Sequence, residues 1–179
     1  MRALRRFLAR LGGTAALPED FTGTLTNDEY VVAAADAKDG SLVATHLGLW
    51  LPEAEGHRRV GWHLVSKATW NAGAFVVTEA DEVDEADGAV LLRDRPPRRF
   101  TLTSPGKLPE VVRERVTASI KSTHHRDLAG GGAWFVQRKV PGRDGIVLQV
   151  RADAGTDDEA LRAFAAQIAA ELRKAKRAG

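Results

Sequence analysis

With 179 residues, 44% hydrophobic and 28% charged, the chain has the composition of one compact globular domain with room for an appended subdomain. A chain of this size buries on the order of 70% of the surface its unfolded form exposes and needs no covalent staples; the lack of any cysteine excludes disulfides and thiolate metal sites and suits a cytoplasmic protein. The formal charge of +2 gives the whole molecule little attraction to nucleic acid, so an electrostatic partner has to be sought patch by patch.

Residues 1–13, MRALRRFLARLGG, are not expected to act as a secretory signal, because Arg5, Arg6 and Arg10 interrupt the apolar run of about 7 to 15 residues that a signal needs. No stretch approaches the roughly 20 apolar residues of a membrane span. The segment instead predicts a short amphipathic helix with Leu4, Phe7, Leu8 and Leu11 on one face, ended by Gly12-Gly13. Two readings stay open: the apolar stripe packs on the domain, or the helix lies on an anionic membrane surface.

After a linker containing Leu17-Pro18 and Gly23, the first strand is expected over Tyr30 to Ala37, followed by an Asp39-Gly40 turn. The second runs from Leu42 to Leu51, with Val43, Leu47, Leu49 and Leu51 inward, and the third from Arg58 to Val65, with Val60, Trp62 and Leu64 on one face. A short fourth strand near Lys67 to Asn71 turns Trp70 inward, and a fifth covers Phe75 to Thr78. The acidic run Glu79 to Asp87 is expected to be a solvated loop or a ligand site. Strands six and seven, Ala89 to Arg93 and Arg98 to Thr103, flank a Pro96-Pro97 corner. Then the period changes: a helix is expected from Pro109 to about Ser122, lined by Leu108, Val112, Val116 and Ile120.

Seven short strands followed by one helix, with the segment LVATHLGLWL, HRRVGWHLVSKATW and AFVVTE, resemble the bacterial pleckstrin-homology-like (PH-like) domains over residues 28–122. The resemblance implies an antiparallel seven-strand partial barrel capped by the helix, usually acting by binding. It does not imply a lipid site, since the first hairpin loop, Asp36-Ala37-Lys38-Asp39-Gly40, sets one lysine between two aspartates.

Residues 123–179 depart from that family. Ala133 to Val140 and Ile146 to Arg151 alternate as a second hairpin, and Thr156-Asp157-Asp158-Glu159 predicts a capping box. The helix beyond it carries Leu161, Phe164, Ala165, Ile168 and Leu172 as an apolar stripe and basic residues at its end. Such a hairpin and helix are not stable alone, so this extension is expected to dock on the first unit or on a second copy of the chain.

Candidate surfaces follow from residues that the core leaves over. His46 and Trp50 lie on the nominally outer face of the second strand, beside His63 and Lys67; either the C-terminal hairpin or helix covers them, or they form an aromatic-centred recognition surface. The basic corner Arg93, Arg95, Arg98 and Arg99 could clamp phosphates, or could serve solubility alone.

Chemical signals are weak. Asp153-Ala154-Gly155-Thr156 is similar to the phosphate-holding Asp-x-Gly-Thr of sugar kinases, but it leads straight into a helix. Gly130-Gly131-Gly132 lacks the Gly-Lys-Ser/Thr ending of a phosphate loop. Asp81, Asp84 and Asp87 lack calcium-loop spacing, and His124-His125 lack further ligands for zinc. Ser66, Ser104, Ser119 and Ser122 have no recognisable partners for nucleophilic catalysis. The expectation is an α+β protein without catalytic residues, metal or cofactor, a cytoplasmic binding or scaffolding module for a protein partner or for itself. The alternatives are a peripheral adaptor for anionic membranes, using the first helix and the arginine corner, and a small hydrolase or ligand carrier.

Overall fold

The computed structural model describes residues 15–179, so the helix expected over residues 1–13 lies outside the described residues. In chain order the strands are β1 (Val31–Ala37), β2 (Leu42–Thr45), β3 (Gly48–Glu53), β4 (Gly56–Gly61), β5 (Val65–Asn71), β6 (Ala74–Ala86), β7 (Ala89–Asp94), β8 (Arg98–Ser104), β9 (Ile120–Leu128), β10 (Gly131–Lys139) and β11 (Ile146–Ala152). The helices are α1 (Leu108–Ser119) and α2 (Asp158–Ala178), and a 3₁₀ turn covers Trp62–Leu64. Among the described residues this is an α+β chain with eleven strands in a mostly antiparallel arrangement, not the seven-strand partial barrel with a hairpin appended. Its residues gather into two compact units, one from residues up to 79 and 96–117, the other from 80–95 and 118–179.

In the first unit the strand order is β4-β3-β2-β1-β8-β6, with β5 on the other side of β6. The two ends, β4 and β5, share no ladder, so the sheet does not close. Its core is built from alternate strand residues, among them Leu42, Leu49, Leu51, Phe75, Val77 and Phe100, and α1 adds Leu108 and Val112 to it. Val60 and Trp62 are buried as their alternation requires. Trp70, expected to face inward, is 41% exposed.

The expected second strand divides at His46-Leu47 for a local reason. The Thr45 hydroxyl accepts bonds from the backbone N–H of Leu47 (3.2 Å) and Gly48 (3.3 Å), a competing arrangement that bends the chain out of the ladder. Gly48 resumes it in close approach to β4: a Cβ there would stand 2.3 Å from the Val60 carbonyl oxygen, closer than real atoms come. The expected third strand likewise stops at Gly61, where the chain enters the 3₁₀ turn.

In the second unit β6, from Ala80 onward, pairs with β7; β7 runs parallel to β11; and β11, β10 and β9 form an antiparallel meander. The acidic run is therefore not a loop: Ala80 to Ala86 is strand, and the turn falls at Asp87-Gly88, both with positive φ. Helix α2 lays Leu161, Ala165 and Ala169 on Ala89, Leu91, Phe135 and Val150, with Phe164 edge-on to Phe135 at 5.4 Å. Its N-cap is Asp157, whose carboxylate accepts from Ala160 N at 2.8 Å. Thr156, the expected cap, instead donates to the Gly132 carbonyl at 2.7 Å and ties the helix start to β10. Among the described residues no helix is long and apolar enough to cross a membrane.

Candidate binding surfaces

The outer face of β2 and β3 is covered, and its cover is the stretch preceding β1. Val31, Val43 and Trp50 form a separate cluster under Ala15, Phe21 and Leu25, with Phe21 edge-on to Trp50 at 5.4 Å. The presumed linker is held down by polar contacts: Asp20 accepts from Ser41 N at 2.8 Å, and Thr22 Oγ1 lies 3.3 Å from His57 Nδ1. Burial raises the Asp20 carboxyl, but the Ser41 bonds and the nearby His57 outweigh it and leave it below its ordinary value. Trp50 thus belongs to the interior at 8% exposure. His46 is half-buried and stacks on Tyr30 at 4.2 Å and 7°. His63 is half-buried in the 3₁₀ turn, and Lys67 is exposed on β5 opposite Thr78. These four residues do not present one open aromatic patch.

Beneath that face lies a residue that the sequence did not single out. The Glu29 side chain is fully buried and accepts from the Thr45 hydroxyl at 2.6 Å, the Trp50 indole at 2.9 Å and Thr26 N at 3.2 Å, and it pairs with Arg59. The Arg59 guanidinium also sits 5.6 Å from the Trp50 ring centre. Burial pushes the Glu29 carboxyl up; the donated bonds and the Arg59 charge prevail and hold it below the usual carboxylate range. The site is an anchor whose bonds are used within the fold.

Arg98 is also committed. It bonds Glu53 at 2.8 Å and the Pro52 carbonyl at 2.6 Å and lies 3.7 Å from Glu79, while Arg58 bridges the same two glutamates at 2.9 Å each. Burial raises the Glu53 carboxyl, but the two arginines lower it further than that. Arg99, the next residue on β8, is exposed.

Arg93 and Arg95 belong to the second unit. Arg95 pairs with Asp81 at 2.6 Å. Asp84 pairs with Arg162, and Asp87 with Arg173 at 2.7 Å, so each of the three evenly spaced aspartates faces an arginine. Arg93 lines a cleft of about 460 Å³ whose charged walls are Asp84, Asp94, Asp158, Arg93, Arg151 and Arg162. Three cations against three anions give that cleft no net attraction for phosphate. Among the described residues no cluster of His, Asp or Glu is placed to hold a metal ion.

Among the described residues, β9 with its neighbour β10 is one surface left open. His124 and His125, expected just past a helix end, lie in mid-strand opposite Phe135 and Trp134. His125 Nε2 stands 2.7 Å from Asp153 Oδ2, and its ring meets Trp134 edge-on at 5.0 Å. Trp134 is 43% exposed. Among the described strands β9 pairs with β10 alone, and none of its nine residues is fully buried. No family model, no curated protein and no solved structure matches the chain.

Proposed function

We propose that the chain is a non-catalytic binding or scaffolding module acting through protein–protein contacts in the cytoplasm. The observation that carries this reading is β9, a nine-residue strand at the end of its meander with one side unpaired among the described strands. An open strand edge presents a row of backbone donors and acceptors, the usual template for adding a strand from another chain. The exposed Trp134 beside it supplies the aromatic anchor such interfaces favour. The PH-like resemblance enters as an analogy of order, strands followed by one helix, and implies the same mode of action. The pairing of Arg95 and Arg98 within the fold makes the arginine corner a weaker support for membrane attachment.

The test is a photo-crosslinking residue placed at Thr123 on β9 in the producing cell, with a control at Ala163 on the exposed side of α2. A discrete crosslinked protein from Thr123, missing from the control, is the expected result. No adduct from any exposed β9 position would overturn the reading.

A further inference from the structure

We propose that β9 pairs with β9 of a second copy of this chain, antiparallel and centred on His124. This rests on the reading of β9 as a docking edge and names its occupant. The strand's own sequence is Ile120-Lys-Ser-Thr-His-His-Arg-Asp-Leu128. Turned end for end about His124, Thr123 meets the partner's His125, Ser122 meets the partner's Arg126, and Lys121 meets the partner's Asp127. By two-fold symmetry each pair occurs twice.

Neighbouring registers lose this complementarity. Centred on Thr123, Lys121 faces the partner's His125 and Ile120 the partner's Arg126; centred on His125, Thr123 faces the partner's Asp127 and His124 the partner's Arg126, so in neither does Lys121 meet an anion. Only the register about His124 matches the cation near one end of β9 with the anion near the other. Lys121 is exposed, and the Asp127 side chain, with Oδ1 3.8 Å from His125 Nδ1, is still 99% exposed.

The ladder to β10 supports these limits. It is regular from Leu128 to Ser122 and shifts at Lys121, where two β9 residues oppose Arg138. A bulge ends regular pairing on that side and leaves Lys121 on the same face as Thr123, His125 and Asp127. The proposed pairing uses residues 121–127, a short contact, so the association is weak and concentration-dependent.

The experiment is sedimentation equilibrium of the full chain over a wide concentration range, with Lys121→Asp, Asp127→Lys and the double exchange; far-ultraviolet circular dichroism verifies that each variant folds. The wild type is expected to dimerise and each single variant to weaken the dimer about tenfold or more, since two attractive pairs become two repulsive ones. The double exchange should restore it, and an equimolar mixture of the two single variants should form a mixed pair, because each then supplies what the other lacks. Single variants that dimerise like the wild type, or a double exchange that fails to recover, would overturn the proposal. A strictly monomeric wild type whose Thr123 crosslinks to a different protein would sink self-pairing alone. A monomer without any β9 crosslink would remove the docking reading as well.

Discussion

The indole Nε1 of Trp50 donates to Glu29 Oε1 at 2.9 Å, which joins the largest side chain under the first strands to a buried carboxylate. Each group needs the other: the indole N–H has to find an acceptor away from water, and the carboxylate has to find donors. Replacing Glu29 by Ala would leave Arg59, Thr45 and Trp50 facing an empty site. The expected loss is about 3–5 kcal/mol, as for other broken buried ion pairs. Glu29→Gln keeps the shape and part of the bonding and should cost less. Urea unfolding of the three proteins checks the order.

Acid should act through the same group. Glu29, Glu53 and Asp20 all have folded-state values below their ordinary ones of 4.5, 4.5 and 3.8. The folded protein therefore binds fewer protons than the unfolded chain in that range. The stabilisation is fully present above those ordinary values and is lost as pH falls through the lowered ones. The urea midpoint should accordingly fall below about pH 4.5, and less steeply in Glu29→Gln.

The two glutamates of the Arg58 and Arg98 network should separate by burial. Glu79 is 4% exposed and Glu53 is more than a third exposed at the side chain. Glu79→Ala leaves two guanidinium groups beside a dry site and should cost about 2–4 kcal/mol, while Glu53→Ala should cost below about 1 kcal/mol. Thermal unfolding at neutral pH distinguishes them.

Gly48→Ala should be costly although only one methyl group is added. The obstructing atom is the Val60 carbonyl oxygen of the paired strand, which cannot rotate aside as a side chain can. A loss of about 2 kcal/mol or more is expected, with hydrogen exchange accelerated in β3 and β4.

The four tryptophans offer an optical check of the cover over β2 and β3. Trp50 and Trp62 are buried at 8% and 2% exposure, Trp70 and Trp134 exposed at 41% and 43%. Acrylamide should quench the wild type in two classes. In a Trp70→Phe/Trp134→Phe variant the accessible class should vanish, and Phe21→Ala should make part of it return as Trp50 is uncovered.

Legibility followed the environment of each strand. Val60 and Trp62 showed in the sequence because one face of their segment meets the core, and the apolar stripe of α2 showed because it lies along β7 and β11. By contrast β9, IKSTHHRDL, is exposed on both faces along most of its length, so burial imposed no alternation on it. The far half of β6 hid behind its own charges: Asp81 and Asp84 stand beside arginines from other elements, a pairing that only the tertiary structure brings about. Glu29 lay at the end of a stretch read as linker, where nothing in its immediate sequence announces Thr45, Trp50 and Arg59, all 16 or more residues away.

The chain enters each unit twice, since residues 80–95 precede and residues 96–117 follow in the reverse allegiance. Synthesis from the N-terminus delivers every described residue of the first unit once Thr117 has emerged, when the second possesses a single hairpin and no helix to cover it. That hairpin, with Leu91 and Ala89 awaiting α2, must wait until Leu161, Ala165 and Ala169 arrive before its apolar side is shielded. No single proteolytic cut can release either unit whole, so limited digestion should nick the molecule without separating it into two self-sufficient fragments.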